Sequence, residues 1–322
     1  MAVYTDVAAE DLIVFLDDYD LGGLLSLKGI AEGVENSNYF VMTDAGPHIL
    51  TLYEKRVNAD DLPFFLGLMD HLAQRGVPCP TPIKDRNGTA LKELNGRPAV
   101  LISFLNGVSP RRATVEHCAG VGRAMADLHL KGADFSIRRE NSLSVAGWRE
   151  LALGCHGQAD EIEPGLCDEI AAEIALMETC WPHDLPAGVI HADLFCDNVF
   201  FEGNTLSGLI DFYFACNDLF AYDVAIALNA WCFESAKEFN VTKARALLHA
   251  YRQVRPFEAA EIEALPLLAR GAALRFLLTR LFDWLNPVDG ALVTPKNPHE
   301  YLSRMRFHRG IESAVAYGLL DT

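Results

Sequence analysis

Residues 189–201 read Val-Ile-His-Ala-Asp-Leu-Phe-Cys-Asp-Asn-Val-Phe-Phe, and this stretch decides the fold. Apolar residues on both sides of a polar centre predict a short strand, an irregular loop and then a second strand, Val199–Phe201. A Glu-Gly-Asn turn leads from there into a third strand, Leu206–Phe212, so the last two strands form a β-hairpin. Because the hairpin reverses the chain, we expect it to return Asp211 beside Asn198.

Three side chains of this region have the chemistry that transfer of a γ-phosphoryl group requires. A carboxylate such as Asp193 can orient an attacking hydroxyl and take its proton. Asn198 and Asp211 offer the oxygen ligands that Mg²⁺ prefers, which are few and are completed by substrate phosphate and water. His191 is assigned to the architecture of the loop, where its ring bonds the backbone and does no acid–base work. The alternative is that Asp193 and Asn198 only cap turns.

The first hundred residues have the pattern of a small sheet with one helix. Apolar segments predict strands at Leu24–Gly29, Tyr39–Thr43, His48–Tyr53 and Pro98–Phe104. Apolar residues at helical spacing over 62–73 predict a helix, which is stopped by Gly76, Pro78 and Pro80.

From residue 114 onward, helical spacing dominates the sequence. Helices are predicted at 115–128, 166–181, 242–255, 258–285 and 298–317, and Thr114 is the expected N-cap of the first of them. The sequence therefore predicts an α+β fold with a small, mostly antiparallel sheet lobe over 1–105. A larger helical lobe, 106–322, contains the catalytic hairpin.

Composition excludes several classes of protein. The net charge of −17 argues against nucleic-acid binding, because neutralising phosphates requires clustered Lys and Arg. Eight cysteines without a C-x-x-C pair argue against a zinc site and indicate buried, reduced thiols. The acidic start of the chain and the lack of a long apolar run predict a cytoplasmic protein without a membrane span. The sequence leaves the oligomeric state open.

The pattern His-x-Asp-x-x-x-x-Asn at 191–198, followed by Asp211-Phe212, resembles the aminoglycoside phosphotransferase and choline kinase branch of the protein-kinase-like superfamily. The resemblance covers residues 20–315, and the hairpin region is its diagnostic part. It implies a two-lobed protein-kinase-like fold with ATP in the cleft between the lobes. The first lobe, 1–105, would bind the nucleotide, and the second, 106–322, would hold the substrate site.

The resemblance also implies roles for individual residues. By position, Asp193 becomes the catalytic base, and Asn198 and Asp211 become the Mg²⁺ ligands. Tyr222-Asp223 becomes a buried turn whose carboxylate steadies the catalytic loop, and His191 supports the same loop.

Within that branch, the chain is similar to the homoserine kinases of the aminoglycoside-phosphotransferase-like type. The segments that carry the similarity are Glu32–Tyr39, Leu50–Glu54, Leu62–Phe65, Gly76–Pro80, His191–Asn198, Asp211–Asp218 and Tyr222–Ile226. The similarity implies that ATP and Mg²⁺ serve phosphorylation of the side-chain hydroxyl of L-homoserine to O-phospho-L-homoserine, a step in threonine biosynthesis.

Two other functions stay open on the sequence alone. One is a kinase for another small alcohol, such as choline, an aminoglycoside or methylthioribose. A choline pocket would present several aromatic faces, and an aminoglycoside pocket would present several carboxylates late in the chain. The other function is a nucleotide-binding pseudokinase, which is disfavoured because Asp193, Asn198 and Asp211 are all present.

The expected nucleotide site departs from the pattern of the superfamily. Thr51 stands where a lysine is expected on the third strand, and the following helix has no well-placed glutamate. The loop 33–38 has one glycine but contains asparagines, which tolerate left-handed backbone, so its N–H groups are expected to face phosphate. The residues assigned to ATP binding are Gly33, Val34, Asn36, Ser37 and Asn38, with Ser103 and Leu105 on the strand expected to bond adenine.

Recognition of an amino acid requires groups of both charges. Arginine is the natural partner of an α-carboxylate because its planar fork matches two oxygens. The candidates are Arg139, Arg270, Arg275 and Arg280, of which Arg275 and Arg280 are preferred. Asp197 or Asp218 would bind the α-ammonium group.

Overall fold

The computed structural model describes residues 5–30, 36–54, 58–155, 157–286 and 295–319. It confirms the α+β class, with an antiparallel sheet in the first third of the chain and helices in most of the rest. The chain forms two compact units, and the boundary between them lies after Asn106. Gly208–Tyr213 is grouped with the first unit, whereas the sequence had assigned it to the second lobe.

The first unit is a five-stranded antiparallel sheet with two helices. Its elements are α1 (Ala9–Leu16), β1 (Leu24–Gly29), β2 (Asn36–Thr43), β3 (Gly46–Tyr53), α2 (Leu62–Gln74), β4 (Lys92–Leu94) and β5 (Arg97–Ser103). The strands are ordered β1-β2-β3-β5-β4. Apolar side chains of α1 and of one sheet face form a core, which includes Leu12, Phe15, Leu16, Val41, Leu50, Leu52 and Leu101.

Long-range contacts explain why Gly208–Tyr213 belongs to the first unit. The Leu209 N–H donates to the Pro78 carbonyl at 2.7 Å. Farther along, the Tyr213 hydroxyl lies 3.3 Å from the Tyr53 hydroxyl, and the two rings pack edge to face. The sequence prediction divided the chain at a single point, after residue 105. It could not assign Gly208–Tyr213 to the first unit, because this segment lies about a hundred residues beyond that point.

The second unit is mostly helical. Its elements are α3 (Val115–Lys131), α4 (Val145–Gly154), α5 (Ala159–Ile162), α6 (Leu166–Cys180), β6 (Ala187–Ile190), β7 (Val199–Glu202), β8 (Thr205–Leu209), β9 (Cys216–Leu219), α7 (Phe220–Trp231), α8 (Val241–Val254), α9 (Ala259–Leu285) and α10 (Pro298–Arg309). Strand β6 pairs with β9, and β7 pairs with β8, whose last two residues, Gly208 and Leu209, are grouped with the first unit.

The predicted N-cap of the first large helix is confirmed. The Thr114 hydroxyl accepts the His117 N–H at 3.2 Å, and the His117 ring accepts the Thr114 N–H in return. Each of these bonds satisfies a backbone donor that the helix itself leaves unpaired.

Two predicted boundaries are wrong. Strand β8 ends at Leu209, before Phe212, because Asp211 has left-handed backbone (φ 65°) and an extended strand cannot continue through it. Helix α10 ends at Arg309, and a separate 3-10 turn covers Ala314–Tyr317, where the sequence had predicted one helix to 317. The predicted turn at Tyr222-Asp223 is buried, and it forms the first turn of helix α7.

Two global expectations can be compared with the described residues. None of the helices they form is both long and apolar enough to cross a lipid bilayer. The eight cysteines are free thiols, as predicted, and five of them are buried.

Candidate active site

The loop between β6 and β7 has a backbone that is closed by its own hydrogen bonds. The Phe195 N–H donates to the Asp193 carbonyl at 2.8 Å, and the Asn198 N–H donates to the Phe195 carbonyl at 3.0 Å. Ala192 has left-handed backbone (φ 61°), which a residue with a Cβ adopts only where its surroundings hold it there. The ring of His191 is buried, and its Nδ1 accepts the Asp193 N–H at 3.3 Å.

Asp193 and Asn198 contact each other directly. The Asn198 side-chain amide donates to the Asp193 carboxylate at 3.0 Å and to the Asp193 carbonyl at 2.8 Å. Because the Nδ2 group is engaged in this way, the Oδ1 atom is the part of the amide left to bind a cation. Burial raises the pKa of the Asp193 carboxyl above its ordinary value, while the nearby charges of Arg275 and Lys296 act in the opposite direction.

The carboxylate of Asp223 holds the start of this loop from helix α7. Its Oδ2 accepts the His191 N–H at 3.0 Å, and its Oδ1 accepts the Ala192 N–H at 2.9 Å. Burial by itself raises the pKa of Asp223, but the hydrogen bonds from the His129 ring and the His191 N–H outweigh it and leave this pKa below the usual value. The ionised carboxylate can therefore accept every one of these bonds.

Behind Asp223 lies a buried chain of polar side chains that sequence reasoning missed. The His129 ring places Nε2 2.9 Å from Asp223 and Nδ1 2.8 Å from the Tyr251 hydroxyl. Arg255 donates to the same hydroxyl at 3.2 Å and pairs with Glu261 at 3.0 Å. The signal in the sequence is a histidine directly after the predicted helix 115–128, since a buried imidazole requires partners.

Asp211 is described as part of the first unit, where its side chain is exposed. The negative charge of Asp211 helps to raise the pKa of Tyr213 to about 12, although burial is the larger cause. The structure thus brings His191, Asp193, Asn198 and Asp223 together in the second unit. The expected position of Asp211 beside Asn198 stays a prediction.

The structure has a strand where the sequence predicted the second half of a phosphate-binding loop, and contact of these residues with ATP stays a prediction. Asn36, Ser37 and Asn38 belong to strand β2 and pair in register with β3, so their backbone is extended. Their side chains bond within the sheet: the Ser37 hydroxyl donates to Glu54 at 2.7 Å, and Oδ1 of the Asn38 side-chain amide accepts the Thr51 hydroxyl at 2.8 Å. The polar composition of this segment indicated a loop. The segment forms a strand because its side chains alternate between buried and partly buried positions along β2. The other two predicted residues, Gly33 and Val34, lie outside the described part of the chain.

The residues expected to face adenine lie at the end of β5. Ser103 is the last residue of the strand, and its hydroxyl accepts the Thr81 N–H at 2.9 Å. Leu105 follows in an irregular segment and is half-buried. Their contact with a nucleotide stays a prediction.

The arginines considered for substrate binding have internal partners. Arg275 is 1 % exposed and donates to the Ala192 carbonyl, so it stabilises the loop from α9. Arg280 pairs with Glu300, and Arg270 forms two bonds of 2.7 Å to Glu173. Contact of Arg275 or Arg280 with the substrate stays a prediction.

The other members of the predicted substrate site also have contacts. Arg139 donates to the Ala215 carbonyl at 3.1 Å. Asp218 accepts from the side-chain amide of Asn141 and from the Leu219 N–H, both at 2.7 Å, and burial raises the pKa of the Asp218 carboxyl. Asp197 is exposed and lies 3.5 Å from the Lys296 ammonium.

Comparisons with known proteins agree with this fold. A model of the phosphotransferase enzyme family matches residues 26–257. The spectinomycin phosphotransferase structure with ADP and spectinomycin has a TM-score of 0.67 at 13 % identity, over 97 % of this chain and 98 % of that one. An amicoumacin kinase structure has a TM-score of 0.65 at 15 % identity, over 94 % and 92 %. The chain belongs to the phosphotransferase enzyme family and has its kinase-like fold.

Full-length relatives narrow this assignment. The homoserine kinase of Xanthobacter autotrophicus is 64 % identical over 319 residues, which is 99 % of each chain. The homoserine kinase of Rhodospirillum rubrum is 61 % identical over the same share. Within the phosphotransferases, the chain is a member of the homoserine kinase family.

Proposed function

We propose that this chain transfers the γ-phosphoryl group of ATP to the side-chain hydroxyl of L-homoserine, giving ADP and O-phospho-L-homoserine. The full-length similarity to homoserine kinases supports the choice of substrate. The observation on which the chemistry depends is the contact between the Asn198 amide and the Asp193 carboxylate. It places a candidate base and a candidate metal ligand on one loop.

In the proposed reaction, Asp193 orients the hydroxyl of L-homoserine, and the hydroxyl oxygen attacks the γ-phosphorus. The bond from the γ-phosphorus to the oxygen bridging the β-phosphate breaks, and ADP leaves with that oxygen. The hydroxyl proton passes to Asp193 late in the step. Positioning of the hydroxyl is the main contribution of this carboxylate, because the transfer itself is largely dissociative.

Asn198 and Asp211 are proposed to hold Mg²⁺. An amide oxygen and a carboxylate are hard donors, and Mg²⁺ usually binds one or two such groups and completes its shell with phosphate and water. When bound, the ion would neutralise charge on the phosphates of ATP.

Asp223 and His191 are proposed to support the reaction indirectly. Asp223 fixes the His191 and Ala192 N–H groups, and the His191 ring fixes the Asp193 N–H. Because Asp193 follows directly, these bonds set the direction of its side chain. Arg275 adds a bond to the Ala192 carbonyl from the other side of the peptide.

For the substrate, Asp218 is the group that we propose to bind the α-ammonium of L-homoserine. Burial raises the pKa of this carboxyl, and nearby positive charge does not fully offset the effect, so an arriving cation would stabilise its ionised form.

The free thiols and the absence of a C-x-x-C pair support the proposed cytoplasmic location.

A coupled ADP-release assay tests the proposed function. Purified protein with ATP and MgCl₂ is given L-homoserine, choline or an aminoglycoside in separate reactions. We expect only L-homoserine to stimulate ADP release. Stimulation by choline or the aminoglycoside alone would contradict the choice of substrate.

The same assay tests Asp193. We expect Asp193→Asn to lower kcat by about 10²–10⁴, the usual contribution of a general base, while ATP binding stays nearly unchanged. Asp184→Asn makes the same chemical change at an exposed position and is the control. Turnover of Asp193→Asn at the wild-type rate would show that Asp193 is not the base.

A further inference from the structure

We propose that Lys296 is a catalytic residue whose ammonium group binds the phosphoryl group while it passes from ATP to the acceptor hydroxyl. The proposal rests on the proposed function, in which Asp193 orients the attacking hydroxyl. It assigns a cation to the catalytic loop that neither the loop sequence nor strand β3 supplies.

The need for such a cation follows from the charge of the transferred group. Negative charge is spread over three oxygens of the phosphoryl group during transfer, and cations near these oxygens lower the barrier. Strand β3 has Thr51 in the place where a lysine was expected, and its hydroxyl donates to Asn38. That position therefore carries no positive charge.

Arg275 and Lys296 are cationic side chains that contact the catalytic loop, and they differ in their freedom to bind a ligand. Arg275 is 1 % exposed and is committed to the Ala192 carbonyl. The side chain of Lys296 is 60 % exposed, and its partner Asp197 is 65 % exposed, with 3.5 Å between the ammonium and the carboxylate. An exposed pair of this kind is weak, so the ammonium can exchange the carboxylate for a phosphoryl oxygen.

Phe195 holds the ammonium of Lys296 on the loop that carries Asp193. The nitrogen lies 5.5 Å from the centre of the Phe195 ring, within the range of a cation–π interaction. The ring is itself fixed, because it packs edge to face on Phe276 at 4.9 Å. Since Phe195 follows Asp193 by two residues, the ring places the cation beside the proposed site of transfer.

The backbone of Lys296 is held by the start of helix α10. Asn297 caps this helix through a bond of 2.9 Å from the His299 N–H, and Pro298 occupies its first turn. Arg280 donates to the Asn297 carbonyl and pairs with Glu300, so α9 fixes the same point. A cation just before a helix N-terminus is unfavourable for the helix, so helix stability does not explain a lysine here.

The role of Lys296 is electrostatic. The ammonium keeps its protons throughout and donates N–H bonds to the non-bridging oxygens of the phosphoryl group. The proton of the acceptor hydroxyl still passes to Asp193. Lysine has a flexible stem and a compact charge. Its ammonium group can therefore follow a phosphoryl oxygen while the phosphoryl group moves from ATP to the acceptor hydroxyl.

The test compares Lys296→Met, Lys296→Arg and the control Lys237→Met, which changes an exposed lysine of the 235–237 bend. We expect Lys296→Met to lower kcat with L-homoserine by about 10²–10³, as loss of a transition-state donor does. The KM values for ATP and L-homoserine should change by less than about threefold, because the interaction strengthens only in the transition state. Lys296→Arg should recover part of kcat, and Lys237→Met should match the wild type.

Hydrolysis of ATP without an alcohol separates this proposal from the proposed function. Water then replaces the hydroxyl, and Lys296→Met should lower this slower rate by a similar factor. Wild-type protein that hydrolyses ATP but ignores L-homoserine would overturn the choice of substrate, while the hydrolysis rates would still decide the role of Lys296.

Two results would overturn the role of Lys296. One is an unchanged kcat, with unchanged hydrolysis, in a folded Lys296→Met variant. The other is a rise of the KM for L-homoserine at constant kcat, which would make Lys296 a partner of the substrate carboxylate. Circular dichroism spectra and thermal melting of all variants verify that each is folded.

Discussion

His308 is a buried residue whose charge state makes stability depend on pH. Its Nδ1 lies 2.7 Å from the Tyr317 hydroxyl, and its Nε2 lies 3.1 Å from Oδ1 of the Asn229 side-chain amide. Burial, with a smaller effect of the Arg304 charge, lowers the pKa of His308 to about 3. The unfolded chain, with a histidine pKa near 6.5, therefore binds one more proton between about pH 6.5 and pH 3.

Stability contributed by neutral His308 is thus present above about pH 6.5 and is lost as the pH falls. We expect the free energy of unfolding to decrease by about 1.4 kcal/mol per pH unit below pH 6 through this residue alone. Urea titrations at several pH values measure the slope. His308→Gln should lower this slope by the contribution of one proton, about 1.4 kcal/mol per pH unit. The exposed control His183→Gln should leave the slope unchanged. Equal slopes for His308→Gln and the wild type would contradict the expectation.

Tyr251 is a second residue whose effect can be predicted. Burial is the main cause of the lowered pKa of His129, so the ring is neutral, and Nε2–H donates to the ionised Asp223. The other ring nitrogen must then accept the Tyr251 O–H. We expect Tyr251→Phe to cost about 1–3 kcal/mol, because it leaves a buried acceptor unsatisfied.

A double-mutant cycle of Tyr251→Phe with His129→Gln, followed by urea unfolding, measures the coupling of the two side chains. Direct partners should show a coupling of about 0.5 kcal/mol or more. Strictly additive effects would show that the hydrogen bond contributes nothing to stability.

At the scale of elements, the close contact between α3 and α8 depends on one glycine. A Cβ added at Gly122 would lie 2.2 Å from the Leu247 carbonyl oxygen, which belongs to the backbone of α8 and cannot rotate away. A Cβ at Gly120, on the same helix, would meet only side-chain atoms, the nearest being a ring carbon of Phe201 at 3.3 Å. The two positions therefore form a matched pair.

We expect Gly122→Ala to destabilise the protein by about 1–3 kcal/mol through overpacking, despite the better helix propensity of alanine. Gly120→Ala should be near neutral or stabilising, since the ring can shift by a few tenths of an ångström. Thermal melting of both variants gives the comparison. A higher melting temperature for Gly122→Ala than for Gly120→Ala would mean that the helices separate without cost.

At the scale of the whole molecule, the net charge of −17 is the dominant property. Like charges repel one another in the compact state, and salt shortens the range of that repulsion from about 30 Å at 0.01 M to about 8 Å at 0.15 M. The surface ion pairs, such as Arg149–Glu178, also weaken with salt, but each contributes about 0–1 kcal/mol.

Repulsion should outweigh these pairs, so we expect the melting temperature to rise when NaCl is increased from about 0.01 M to about 0.15 M. Melting curves at constant pH, with NaCl as the only variable, test this. A falling melting temperature would show that the ion pairs contribute more than the net charge costs. Uncharged sucrose at the same osmolality serves as a control for effects other than screening.

The sequence alone determined those features that depend on near neighbours along the chain. Strand β1, the N-cap Thr114 and the loop carrying Asp193 and Asn198 were all recognised, because periodicity, capping and motif spacing are local signals. The kinase-like fold and the family followed from that loop. Burial patterns that depend on other elements were the weak point, and Asn36–Asn38 was placed in a loop for this reason.

Only the tertiary structure decided which polar groups meet across long separations in sequence. It paired Arg280 with Glu300, placed Lys296 against Asp197, and linked Asp223 to His129. Local composition does not predict such contacts, because the sequence around a charged residue is the same whether its side chain faces solvent, a substrate or a buried partner. The packing of the elements places each charged side chain in one of these environments. The free energy of desolvation there then shifts its pKa and determines whether it needs a partner of opposite charge.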